Sequence, residues 1–166
     1  MSENLQRIGK CSFRYCSSLK NINIPEGITE IEDGLFFGCT SLESVSLPDT
    51  ITGIGSSAFS GCTALKKIRI PDNGVSIGGS AFCECSLLES ISIPDSTKSL
   101  GSRAFAYCSS LECIAMGEGI TSIMDKTFTG CARLREISLG GNVSSFGKGV
   151  FQSCSSLTEF VIPDKV

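Results

Sequence analysis

The 166-residue chain contains no histidine. That absence removes the side chain used most often as a general base and a common nitrogen ligand of transition metals. Charge is also sparse: only 19% of residues are charged, the net charge is −3 and the pI is about 5.0. Basic proteins gain affinity for nucleic acids and anionic membranes by neutralising phosphates, and this chain has no such excess, so no nucleic-acid partner is expected. No stretch approaches the ~20 apolar residues that cross a bilayer, so no membrane span is expected. The opening Met1-Ser2-Glu3-Asn4 leads into no apolar signal-peptide region. A nucleophile elbow, a phosphate loop and a paired-carboxylate motif are all missing. The sequence therefore predicts no catalytic residue, no cofactor and no enzymatic activity, and an enzyme is the least favoured reading.

What is present is a repeat. With 41% hydrophobic residues the chain reads as an ordered protein with a sizeable core, one domain over 1–166. Phenylalanine recurs every 23 residues at Phe13, Phe36, Phe59, Phe82, Phe105, Phe128 and Phe151. Cysteine follows three positions later each time, from Cys16 to Cys154, and leucine three later again, from Leu19 to Leu157. Two alternating apolar residues come next, such as Ile22 and Ile24 or Ile91 and Ile93, and then proline at Pro25, Pro48, Pro71, Pro94 and Pro163, with Gly117 and Gly140 in its place elsewhere. Alternation of period two marks a short strand with one buried side, and proline ends it because it cannot donate to a ladder.

A period of 23 falls within the roughly 20–29 residues of a leucine-rich repeat, in which each unit gives one strand and an irregular or 3₁₀ return segment. The expected fold is an α/β-type repeat solenoid with a short parallel β-sheet on its concave face, little regular helix and about seven 23-residue repeats. Equivalent residues of successive turns would stack about 4.8 Å apart as ladders of Phe, Cys, Leu and Ile. One turn cannot bury itself, so stability must come from stacking several.

The pattern A-F-x-x-C-x-x-L-x-x-I-x-I-P-x-x-I-x-x-I-G, fullest from Ala58 to Gly78, resembles the BspA-like, or treponemal-type, leucine-rich repeat family over nearly the whole chain. The resemblance implies a right-handed solenoid acting in protein–protein contact, often as a surface protein or adhesin of a host-associated microbe. It brings no active site. The asparagine ladder of familiar leucine-rich repeats is absent, since Gly27, Thr50, Asn73, Ser96, Gly119 and Asn142 occupy those places.

The repeat sorts the ten cysteines. The seven ladder thiols would point side by side into the core, where a free cysteine behaves as a small hydrophobe and a disulfide would distort the register. Cys11, Cys83 and Cys113 stand outside the ladder, and Cys113 should face solvent on a strand. Cys83-Glu84-Cys85 mimics a metal pair, but zinc needs four convergent ligands, so no metal is expected. A free-thiol ladder is compatible with the cytoplasm, whereas the resemblance implies the cell surface or secretion; both stay open.

The candidate partner-binding surface is the outward side of the strands: Asn21, Asn23, Ser44, Ser46, Lys67, Arg69, Ser90, Ser92, Cys113, Ala115, Glu136, Ser138, Glu159 and Val161. Lys66, Lys67 and Arg69 form a basic spot between Glu43 and Glu89 of the adjacent turns. Cross-strand charge pairing is its simpler reading, and a binding hot spot the other. Leu5 and Ile8 sit one period before Ile28 and Ile31, and Val166 one period after Val143, so neither end shows a polar cap. The leading expectation is a non-catalytic module that binds a protein partner of unknown identity. The alternative is a self-assembling solenoid, a homo-oligomer joined through uncapped ends.

Overall fold

The computed structural model describes residues 5–162 and 165–166. Strands come in pairs along the chain: β1 (Asn21–Asn23) and β2 (Glu30–Ile31), β3 (Ser44–Ser46) and β4 (Gly53–Ile54), β5 (Ser76–Ile77) alone, β6 (Ser90–Ile93) and β7 (Ser99–Leu100), β8 (Cys113–Met116) and β9 (Ser122–Ile123), then β10 (Glu136–Ser138) and β11 (Ser145–Phe146). No helix occurs among the described residues. Every pairing is parallel and shifted by one repeat, as in Ile22 beside Val45 and Ile91 beside Ile114. The result is a solenoid whose successive turns stack in register.

The first side of each turn behaves as its alternation dictates. In β6 and β8 the residues alternate exposed, buried, exposed, buried, with Ile91, Ile93, Ile114 and Met116 inside. Through the core of the stack runs the phenylalanine column. Neighbouring rings from Phe13 to Phe151 lie 5.3–5.8 Å apart between centroids and within 13° of parallel. Phe36, Phe59, Phe82, Phe105 and Phe128 are fully buried, each contributing roughly 1.5–3 kcal/mol of transfer free energy to a core that no isolated turn could form.

Backbone geometry brings each phenylalanine to the axis. The residues two before and two after it adopt left-handed conformations in turn after turn, as at Ser57 (φ 55°) and Gly61 (φ 74°) around Phe59, or Arg103 (φ 58°) and Tyr107 (φ 61°) around Phe105. Glycine takes this region freely, whereas other L-residues do so at a cost of about 1 kcal/mol or more. The tight corners let the phenylalanine amide reach the next turn, so that Phe59 N–H donates to Ala81 O and Phe82 N–H to Ala104 O, both at 2.8 Å.

Three expectations change. The return segment is not irregular or 3₁₀ but forms a second parallel sheet from β2, β4, β5 and β7, continued by β9 and β11. Its strands are two residues long, too short for a sequence period to register. The first ladder cysteine, Cys16, is exposed, because among the described residues no earlier turn stacks over it, while the other ladder cysteines, Cys39 to Cys154, are buried. The expected single sheet on the first side is two sheets, β1–β3 and β6–β8–β10, and residues 67–70 between them form no strand. Lys67 and Arg69 therefore lie off the ladder, as do Glu159 and Val161 at the far end.

The break in the third turn has a local cause. In the other turns the residue three after proline, or after its glycine substitute, closes a tight turn back onto it: Ile28 to Pro25, Ile51 to Pro48, Thr97 to Pro94, Ile120 to Gly117 and Val143 to Gly140. The corresponding residue after Pro71 is Gly74, with φ 64°, whose N–H donates to Ser96 Oγ at 2.9 Å. Val75, one residue later, fills the core slot that Ile51 fills in the turn before, and it is fully buried. This displacement distorts the chain leading out of the third strand position, and residues 67–74 make no backbone–backbone hydrogen bond among the described residues.

Candidate functional site

The outward residues of the first side form one continuous exposed surface. Asn21, Asn23, Ser44, Ser46, Ser90, Ser92, Cys113, Ala115, Glu136 and Ser138 project from strands, and Lys67, Arg69, Glu159 and Val161 extend the surface from strand-free turns. All are exposed, Val161 at 86%. Period-two alternation fixes this: placing Ile68 and Ile70 in the core commits Lys67 and Arg69 to solvent even without a ladder. Most of these side chains are short, so the surface has few projections. Ser44 Oγ donates to Asn21 Oδ1 at 2.6 Å, and the other serines of this surface carry no cross-strand hydroxyl bond among the described residues.

Electrostatics on this surface differ from the expected cross-strand pairing. Arg69 pairs with Asp49 in the turn below at 2.7 Å, both side chains well exposed, and not with Glu43 or Glu89. Lys66 and Lys67 form no ion pair among the described residues. Further along, Arg133 pairs with Glu112, while Glu136 and Glu159 pair with no cation among the described residues. The surface thus has a cationic centre in its third turn, bracketed by serines, and mixed charge at its far end, where Arg135 stands beside Glu136 and Glu159.

The thiols divide as the repeat implies, with one addition. Each buried ladder thiol donates to the phenylalanine carbonyl of the preceding turn, as Cys62 to Phe36 O and Cys85 to Phe59 O at 3.2 Å and Cys108 to Phe82 O at 3.1 Å. The cysteine is therefore a small hydrophobe and also a second donor to a carbonyl that already accepts the amide of the cysteine in its own turn, a contact a core alanine would lose. Burial pushes the thiols of Cys62 and Cys131 up to about 12 and those of Cys85 and Cys108 well above the ordinary thiol range. A nucleophile needs the opposite shift. Cys113 is exposed and Cys83 half-buried. Among the described residues no three cysteine or carboxylate side chains converge as metal ligands would.

Two features escaped sequence reasoning. The second sheet carries a shallow groove of about 270 Å³ whose lining includes Gly53, Gly55, Ser76 and Gly78 together with Glu30 and Glu32. At the phenylalanine corners, the Arg14 guanidinium lies 5.0 Å from the Tyr15 ring centre and 4.7 Å from that of Phe37, leaving Tyr15 63% exposed. The only sequence signal for either was the glycine recurring after the second apolar position, at Gly55, Gly78, Gly101 and Gly147.

Comparison with solved structures places this geometry among bacterial leucine-rich repeat proteins. A T. pallidum leucine-rich repeat protein is 33% identical with a TM-score of 0.86, the match covering 92% of this chain and 71% of that one. A leucine-rich repeat protein from Bacteroides ovatus is 29% identical with a TM-score of 0.74, covering 95% of this chain but only 47% of the other. One from Eubacterium ventriosum, 18% identical with a TM-score of 0.53, shows the fold alone. A search of curated proteins gave no match. The BspA type leucine rich repeat region matches residues 1–87 and 54–166, in six copies against the seven phenylalanines of the sequence. From one end to the other, the chain belongs to the BspA-type leucine-rich repeat family.

Proposed function

We propose that residues 1–166 act as one non-catalytic domain that binds a protein partner through the exposed side of β1, β3, β6, β8 and β10. Leucine-rich repeat proteins generally serve as protein-interaction modules. The observation that carries the reading is the division of labour along each strand: inward residues are consumed by the core, while the exposed ones, from Asn21 to Val161, contribute almost nothing to it. A broad, low surface of small polar side chains on a rigid frame suits a protein face or an extended segment, which positioned loops and sheet faces recognise by complementarity. The experiment is to identify a partner by affinity capture and then obstruct the surface with Ser46→Trp or Ser92→Trp. Both positions are exposed, so the protein should stay folded and lose the partner; retention of full affinity by both variants would exclude this surface.

A second reading is self-assembly through the terminal turns. It is favoured by the partial exposure of Phe13, Leu19 and Ile22 at one end and of Phe151, Leu157 and Phe160 at the other. Sedimentation over a wide concentration range tests it, and a species that stays monomeric at the highest concentration would exclude it.

A further inference from the structure

We infer that Lys66, Lys67 and Arg69 form the recognition centre of this surface and that its occupant is an acidic segment of a partner protein, an Asp- or Glu-bearing stretch laid across the third turn. The inference rests on the proposal that this surface binds protein. All three cations are exposed, Lys66 and Lys67 have no carboxylate partner among the described residues, and Arg69 already shows the chemistry by holding Asp49 in an exposed, solvent-exchangeable pair. Exposed pairs of this kind contribute little and exchange readily, so a better-placed carboxylate can displace Asp49. The repeat spacing sets Ser44 and Ser90 on either side of Lys67, and Ser46 and Ser92 on either side of Arg69; Ser44 already donates to Asn21, while Ser46, Ser90 and Ser92 offer hydroxyl groups to neighbouring carboxylates or backbone carbonyls. The stretch 67–74, without a backbone–backbone hydrogen bond among the described residues, can adjust without breaking a ladder.

The same neighbours decide between kinds of anion. Glu43 and Glu89 occupy the place of Lys66 in the adjoining turns, about 5 Å away on each side. A uniformly charged polyanion running along the solenoid would meet those carboxylates within one sugar or phosphate repeat. Discrete acidic side chains set in a polar segment can address the third turn alone. Complementary charge of this kind governs association rate and choice of partner, and it weakens as salt screens it.

The test is selection of peptides from a random display library on the immobilised full chain. The selected peptides should be enriched in Asp and Glu, should bind about tenfold or more weakly when Lys66, Lys67 and Arg69 are all changed to Gln, and should weaken as sodium chloride rises. Changing Arg103 and Lys126 to Gln removes cations at the phenylalanine corners and should leave binding unchanged. Thermal unfolding checks that the triple variant folds; if it does not, Lys67→Gln alone, combined with the salt titration, decides the question in its place. Peptides that lack acidic residues, or that bind the triple variant as well as the parent, overturn the inference, as does tighter binding of heparin oligosaccharides than of any peptide. Peptides blocked by Ser92→Trp but indifferent to the three cations would retain the surface and discard its acidic occupant, whereas peptides indifferent to both would discard both.

Discussion

At the scale of single residues, the repeat is informative where one position breaks it. Thr97 occupies the core slot filled by Ile28, Ile51, Ile120 and Val143 in other turns, and it is completely buried. Its hydroxyl has no hydrogen-bond partner among the described residues. An unsatisfied buried hydroxyl costs about 1–3 kcal/mol, and valine has nearly the same shape without it. Thr97→Val should therefore raise the unfolding free energy by about 1 kcal/mol, visible as a higher urea midpoint with an unchanged slope. A lower midpoint would show that the hydroxyl is satisfied in solution. Thiol chemistry gives a second check on the same scale. Cys11, Cys16 and Cys113 should react at once with a disulfide reagent and Cys83 more slowly, while Cys39, Cys62, Cys85, Cys108, Cys131 and Cys154 should react only once the chain is unfolded. Rapid labelling of the last group in native buffer would contradict the ladder.

At the scale of elements, the second sheet shows how one side chain sets the spacing of turns. Gly55, Gly78 and Gly147 each donate an amide to the turn before, at 2.7 Å to Ile31, Ile54 and Ile123 respectively. A Cβ on Gly78 would lie 2.6 Å from the Ser56 nitrogen, so the approach requires glycine. Met124 takes this place in the fifth turn, its amide makes no such bond to Leu100, and the sheet divides there between β7 and β9. Phenylalanine ring spacing widens at the same level, from 5.4 Å between Phe82 and Phe105 to 5.8 Å between Phe105 and Phe128. Met124→Gly should let the turns close and join the two sheets. One added hydrogen bond is worth about 1 kcal/mol, and glycine in a strand costs about 0.5–1 kcal/mol in entropy, so net stability should barely change. Hydrogen exchange is the sensitive measurement: the amide of residue 124 should become protected, and unchanged exchange would assign the division to another cause.

Across the whole molecule, the buried thiols set a pH limit. Their folded pKa values are raised by burial, to about 12 at Cys62 and Cys131 against an ordinary 9.0. Between those values the folded chain holds protons that the unfolded chain releases. The contribution of each thiol is therefore complete below about pH 9 and is lost as pH climbs towards 12. Denaturant midpoints should fall steeply from pH 9 upward, and Cys62→Ala or Cys131→Ala should be less stable at pH 8 yet lose less on going to pH 11. Equal losses in parent and variants would place the alkaline sensitivity outside the buried thiols. The apolar ladders run through every turn as one core, so this sensitivity belongs to the stack and not to any single repeat.

Spacing along the sequence was enough to establish the solenoid, its inward ladders and the outward positions from Asn21 to Val161, because a strict 23-residue period forces equivalent residues into columns and period two forces alternate ones to opposite sides. The second sheet was illegible because two-residue strands leave no alternation to read. The divided first sheet was equally hidden, since Val75 in place of its neighbour Gly74 alters no spacing between phenylalanines. Whether Lys66, Lys67 and Arg69 pair with Glu43 and Glu89 was also beyond the sequence. Register places those charges in neighbouring columns, but side-chain reach and local backbone course send Arg69 to Asp49 and leave both lysines free of ion pairs among the described residues. Periodicity determined which residues face outward; only the packed turns decided which outward charges remain available.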